Sequence, residues 1–121
     1  MREEGRVDYI EIPVTDLDTT REFFRQLFGW EFEEWGPDYY SFNDGRLDGG
    51  LRRAETPAPA SGVLLVFYSD DIDRDYARVK ELGATISQEI FEFPGGRRFH
   101  FVDPAGTEFA IWASAEEPQT E

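Results

Sequence analysis

Two stretches of this chain, 55 residues apart, carry the same succession of strand, capped helix and turn signals. No other feature narrows the choice of fold so far. Asp16-Leu17-Asp18 aligns with Asp71-Ile72-Asp73, Phe24 with Val79 and Leu27 with Leu82. The glycines that end the two helices need one residue of slip. A chain of 121 residues has the length for one domain, or for two halves that fold as one. The repeat implies that each half is the same supersecondary unit.

In the first half Ile10, Ile12 and Val14 alternate with Tyr9, Glu11 and Pro13, which is the period of a strand over 7–14. Pro13 has no N–H for a ladder, so it belongs near a strand end or at an unpaired position. Asp16 or Asp18 can cap a helix over about 18–28, with Leu17, Phe24, Leu27 and Phe28 on one face and Gly29 at its end. Strands are expected at 30–35, 39–42 and 47–53, separated by Gly36-Pro37-Asp38 and Asn43-Asp44-Gly45. Residues 54–62, small and Pro-rich, read as a semi-extended linker. The pattern then restarts with an apolar strand at Val63–Tyr68 and a helix from Asp71, striped by Ile72, Tyr76 and Val79. Strands follow at about 84–93, 97–103 and 107–113. The organisation is one domain over 1–121: module one at about 7–53, the linker, module two at about 63–113, and a polar tail, 114–121, expected to fray.

Charge and composition exclude several classes. Twelve basic residues against 26 acidic ones leave a net charge of −14, which repels phosphate backbones and anionic lipid. Nucleic acid and membrane are therefore not expected partners. No apolar run approaches the roughly 18 residues of a membrane helix, and the N-terminal residues carry no apolar signal segment. The absence of cysteine excludes disulfide scaffolds, thiolate metal sites and cysteine nucleophiles, and fits a cytoplasmic protein. No Walker loop, dinucleotide fingerprint, metalloprotease helix or nucleophile elbow is present.

Ile10-Glu-Ile-Pro-Val-Thr-Asp-Leu17, Arg21-Glu-Phe-Phe24, Leu27-Phe-Gly-Trp-Glu-Phe32 and Gly49-Gly-Leu51 together resemble the first module of the vicinal oxygen chelate superfamily, the glyoxalase, bleomycin-resistance and dioxygenase proteins. Asp70-Asp-Ile-Asp73, Leu82-Gly-Ala84, Pro94-Gly-Gly96 and Asp103-Pro-Ala-Gly-Thr-Glu-Phe109 with Trp112 resemble the second. The resemblance implies an α+β fold. Two βαβββ modules would form an open, cupped, eight-stranded mixed sheet with helices on the convex side and the ligand in the cup. It also implies a homodimer, with parts of strands 7–14 and 63–68 at the interface and Trp30 or Trp35 nearby, at the cup's rim or between subunits.

The family's enzymes hold a divalent metal with His, Gln or Glu on the first and last strands of each module. Carried over residue by residue, those positions fall on Tyr9, on Gly49 or Gly50, on Leu64 and on Ala110. None is a normal ligand, so no metal and no other cofactor is expected. A rebuilt cation site from Glu11, Glu108 and His100 is the alternative. Strand alternation makes Tyr9, Glu11, Leu64, Val66, Tyr68, Glu108, Ala110 and Trp112 the lining of the cup. Such a lining, aromatic and apolar with one or two carboxylates, suits a small cationic aromatic molecule. Glu11 is the candidate base if the chain is instead an enzyme with a non-standard site. Its carboxyl would rise in pKa among apolar neighbours unless paired with an arginine such as Arg52 or Arg97. A binding or regulatory module without chemistry is the third reading.

Overall fold

The structure, a computed structural model, describes residues 4, 7–58 and 62–115. The chain divides into two compact units, Met1–Ala58 and Pro59–Glu121, and the division falls inside the Pro-rich 54–62 segment. Residues 59–61 of that segment and 116–121 of the tail lie outside the described residues.

Each unit is a βαβββ module, and the fold class is α+β. The first runs β1 (Tyr9–Val14), α1 (Leu17–Phe28), β2 (Glu31–Glu34), β3 (Tyr39–Asn43) and β4 (Asp48–Arg53). Its sheet has the order β1-β4-β3-β2, with β1 parallel to β4 and the other pairs antiparallel. A parallel neighbour needs a long crossover, which α1 begins, whereas short turns link the antiparallel strands. Pro13 is tolerated because β1 is the edge strand. The second unit repeats the scheme: β5 (Leu65–Tyr68), α2 (Ile72–Glu81), β6 (Thr85–Phe93), β7 (Gly96–Val102) and β8 (Glu108–Ser114), ordered β5-β8-β7-β6. β5 is shorter than the apolar run around it. Pairing with β8 begins at Leu65 opposite Phe109, and Val63 lies 89% exposed.

Both helices start on an aspartate. The Asp16 and Asp71 carboxylates each accept a backbone N–H at 3.1 Å, from Thr19 and Arg74. Between the two possible caps of α1 the choice is Asp16; Asp18 sits in the first turn, where its charge faces the positive helix end. Gly29, at φ 76°, closes α1 in the left-handed conformation. α2, with ten residues, is two shorter than α1, with twelve, and its left-handed glycine, Gly83 at φ 98°, follows the cap Leu82 where Gly29 is itself the cap. The two differences together leave the one-residue slip between the repeats.

Each helix covers one face of its own sheet. In module one Ile12, Val14, Leu51, Phe23 and Phe24 are buried there. Trp30 corrects the expectation of a rim or interface residue: it is only 6% exposed and stacks between Phe24 and Phe42, with 4.5 Å between ring centroids on each side. The left-handed turn at Gly29 puts the indole back against α1 before β2 begins. Trp35, in contrast, is exposed and donates to Ser41 Oγ at 2.9 Å. In module two, Ile72 and Val79 pack with Phe99, Phe101, Phe109 and Ile111.

Candidate functional site

What remains is the helix-free face of each sheet. In module one the register aligns Tyr9, Glu11 and Pro13 with Asp48, Gly50 and Arg52, and those with Asn43, Ser41 and Tyr39. Residues in register project to the same side, so Tyr9 and Glu11 share a face as their alternation requires. The Tyr9 and Tyr39 hydroxyls are hydrogen-bonded to each other at 2.5 Å. They meet above Gly50. A Cβ on Gly50 would overlap the Tyr39 hydroxyl and come within 2.7 Å of that of Tyr9. Of the two glycines, then, Gly50 belongs to this face, while Gly49 lies against the Phe42 ring on the helix side.

Glu11 takes the paired alternative. Its carboxylate accepts from Arg52 Nε at 3.3 Å, and both side chains are about half exposed. Tyr39 resists ionisation: burial is the largest cause, followed by hydrogen bonding to Tyr9 and to Glu11, then their negative charge. Tyr9 also borders a hollow of about 370 Å³ at one end of this sheet, lined by Glu31, Glu33, Ser41, Asn43 and Asp48 together with Phe32, Phe42 and Gly49.

In module two Val66 and Tyr68 align with Ala110 and Trp112 of β8, and these with His100 and Arg98 of β7. Glu108 lies two residues before Ala110, hence on the same face. Tyr68 meets Trp112 edge-on, with ring centroids 5.4 Å apart. Val66 and Tyr68 are exposed, Trp112 is half-buried and Ala110 is fully buried. Leu64 precedes the ladder and is half-buried. His100, whose facing the sequence left open, joins this set. Its Nδ1 lies 3.2 Å from Glu108 Oε2, which also accepts from Ser87 Oγ at 3.1 Å. Its Nε2 is buried without a hydrogen-bond partner among the described residues.

Tyr9 and Glu11 therefore stand together on module one. Val66, Tyr68, Glu108, Ala110 and Trp112 stand together on module two, with Leu64 just before them. Sequence reasoning passed over Tyr39. The turn Asn43-Asp44-Gly45 was the available signal, since pairing across it places Tyr39 opposite Arg52 and two strands from Tyr9.

The residues present do not fit a divalent cation. The four positions offer a phenol, a hydrogen, an isobutyl and a methyl group, whereas such ions take several oxygen or nitrogen donors at about 2.0–2.6 Å. Among the described residues no three His, Asp, Glu or Cys side chains converge. Glu11 is engaged by Arg52, and Glu108 by His100 and Ser87. No helix of the described residues is long and apolar enough to cross a membrane.

Comparison with known proteins places this geometry in context. A sequence profile described as the Glyoxalase/Bleomycin resistance protein/Dioxygenase superfamily matches residues 6–111. The anthracycline biosynthesis protein DauV of Streptomyces sp. strain C5 is 27% identical over 112 residues, covering 88% of this chain and 41% of that protein. The putative glyoxylase CFP32 of Mycobacterium bovis is 24% identical over 121 residues, covering 90% and 46%. The chain thus spans less than half the length of either relative. Among solved structures, a point mutant of the fosfomycin resistance protein FosX of Listeria monocytogenes, crystallised with Mn(II) and 1S,2S-dihydroxypropylphosphonic acid, superposes with a TM-score of 0.79. The identity there is 21%, over 95% of this chain and 94% of that one, and the likeness is one of fold.

Proposed function

This chain belongs to the Glyoxalase/Bleomycin resistance protein/Dioxygenase superfamily, and from that premise we propose that it binds a small cationic aromatic molecule without a metal. The carrying observation is the make-up of the two helix-free faces. They present the rings of Tyr9, Tyr39, Tyr68 and Trp112 with the carboxylates of Glu11 and Glu108, and no converging donor trio. Aromatic faces attract organic cations, and a net charge of −14 raises their local concentration. The relation to DauV supports an aromatic ligand. The natural assembly in this reading is a homodimer, because β1 and β5 are edge strands of their sheets, and such edges are normally covered. Val66 and Tyr68 of β5 stand exposed there.

The experiment is titration of the purified chain with a cationic anthracycline at two ionic strengths, alongside elemental analysis. We expect saturable binding that weakens with salt, less than a tenth of an equivalent of Mn, Zn, Fe or Ni per chain, and a Tm unmoved by chelator. About one metal per chain would overturn the metal-free reading. Sedimentation should give a dimer at tens of micromolar that tightens as salt screens the charge; a 14 kDa monomer in both low and moderate salt would overturn the assembly. The enzyme reading, with Glu11 as base, requires turnover that Glu11→Gln abolishes. The contact with Arg52 weighs against it, since the arginine already engages the carboxylate that would have to take the proton.

A further inference from the structure

We propose that the helix-free face of module two recognises an aromatic carboxylate, and that Arg98 is the residue that receives its charge. The proposal goes beyond the cation reading above and is independent of it.

Arginines in so acidic a chain find carboxylates. Arg97, on the helix side of β7, lies 3.4 Å from Asp73, and Arg52, on the open face of module one, lies 3.3 Å from Glu11. Arg98 differs. No ion pair among the described residues includes it, and its Nε is buried without a hydrogen-bond partner among them. The carboxylate of this face, Glu108, stands opposite Val102, four residues along β7, and is engaged by His100 and Ser87. What surrounds Arg98 is aromatic. Its guanidinium carbon lies 5.5 Å from the centroid of Phe91, its partner on β6, and its partner on β8 is Trp112. Phe91, Phe93, Trp112 and Tyr68 follow one another with centroids 6.4, 6.3 and 5.4 Å apart.

A guanidinium over a ring is stabilised through its flat face and keeps its in-plane N–H groups for a second partner. Burying a charged donor without one is costly. A carboxylate answers that cost, because its two oxygens can meet Nε–H and the adjacent Nη–H side by side, the bidentate arrangement that suits arginine. The aromatic neighbours then select a flat apolar body behind the carboxylate. Phe91 is the side chain that must yield to admit it. It is the first residue paired after the register shift that follows Gln88, where the ladder holds β6 least. The same ring lies 6.1 Å from that of His100, whose Nε2 also lacks a partner among the described residues, so two unmet nitrogens belong to the neighbours of one ring. The net charge of −14 repels an anion at long range, but salt screens that repulsion beyond about 8 Å and leaves the contact to decide.

The test measures 2-naphthoate and its neutral methyl ester by equilibrium dialysis at physiological salt, against the parent chain, Arg98→Gln, Arg98→Lys and Arg97→Gln. The parent should bind the acid about tenfold or more tighter than the ester, the worth of a charge-assisted bidentate contact. Arg98→Gln should keep its circular dichroism and its affinity for the ester, while the preference falls to within about twofold. Arg98→Lys keeps the charge without the fork and should retain only part of the preference. Arg97→Gln removes the same charge from the other side of the strand and should retain all of it. Equal binding of acid and ester by the parent, binding of neither, a preference that survives Arg98→Gln, or one that disappears in Arg97→Gln overturns the inference. Should Arg98→Gln fail to fold, Arg98→Lys decides, since an undiminished preference there removes the bidentate contact from the account. The anthracycline titration tests the cation reading separately, so neither failure entails the other.

Discussion

The two modules differ least where they face their helices and most where they do not. In module one the covered face is an aromatic stack, Phe24 on Trp30 on Phe42; in module two it is a run of phenylalanines, Phe99 to Phe101 to Phe109 to Phe67. The residues change, yet strand order, parallel edge pair and aspartate cap are the same. The helix-free faces share no such plan. One carries a phenol pair and an ion pair over a glycine, the other an aromatic edge and a His–Glu contact. A buried face must satisfy packing, which restricts it to a few solutions, while an open face answers only to what binds there.

If the two cores are equivalent, they should fail alike. Phe24→Ala and Phe101→Ala each remove a fully buried ring and should each cost about 3–5 kcal/mol in denaturant unfolding. A cost below about 1 kcal/mol for either one would show that its module contributes little to the cooperative core.

The turns before β4 and β8 sharpen the contrast. Asp44 Oδ1 accepts from the backbone of Arg46 and Leu47 at 2.9 and 2.8 Å, and Asp103 Oδ1 from Ala105 and Thr107 at 3.1 and 2.9 Å. The geometry is shared but the burial is not. Asp44 is exposed, whereas Asp103 is 3% exposed, its Oδ2 has no partner among the described residues, and burial pushes its pKa up to about 6 against the opposing backbone hydrogen bonds. A folded-state pKa raised above the unfolded value gives stability that is complete below about pH 4 and is lost as pH rises through 6. Asp103→Asn keeps the acceptor and removes the charge. Its stability relative to the parent, followed as Tm against pH, should therefore rise between pH 4 and 7, by an amount of the order of 2–3 kcal/mol.

Adjacent glycines give the next test, because they look at opposite faces. A Cβ on Gly49 would run into the Phe42 ring and sit 2.5 Å from the Ile10 carbonyl oxygen, so Gly49→Ala should cost about 1–3 kcal/mol. On Gly50 the obstacles are the free ends of two tyrosines. Gly50→Ala should cost less than about 1 kcal/mol and yet scatter the phenol pair, lowering ligand affinity. Equal costs would contradict the assignment of faces.

The same asymmetry decides how much could be read from the sequence. Ile10, Ile12 and Val14 declare their strand because one face must be apolar, and Asp16 and Asp71 declare their helices because a cap must be polar. Alternation then placed Tyr9, Glu11, Val66, Tyr68, Glu108, Ala110 and Trp112 on the helix-free side. It could not place Leu64 relative to the start of β5, since Val63 and Leu64 are as apolar as the strand they precede. Trp30 misled because its burial depends on the backbone turn at Gly29, not on strand period. Tyr39 was passed over as a site residue, because its contact with Tyr9 thirty positions away is reached only by carrying the strand pairing across the 43–45 turn. His100 was left unoriented, although its place between the core residues Phe99 and Phe101 and the regular pairing of β7 with β8 put it on the helix-free face.

The smallest effect on stability should carry the most information about the open face of module one. Glu11 and Arg52 are about half exposed, and ion pairs of that kind contribute roughly 0–1 kcal/mol. Glu11→Gln and Arg52→Gln should accordingly leave the unfolding midpoint nearly unchanged. The phenol titration should not stay unchanged. Burial is the first reason Tyr39 holds its proton, and neither substitution alters it much. Glu11 supplies the next contribution along with Tyr9, through a hydrogen bond and through its charge. Removing that charge should move the highest tyrosine titration of the protein downward, seen as phenolate absorbance appearing at lower pH. Removing Arg52 should move it the opposite way or not at all, since the carboxylate beside Tyr39 would be left uncompensated. Val66→Thr on the helix-free face of module two, where no phenol pair exists, should do neither. An Arg52→Gln variant whose phenol titrates earlier than in the parent would mean that the arginine, not the carboxylate, governs the pair.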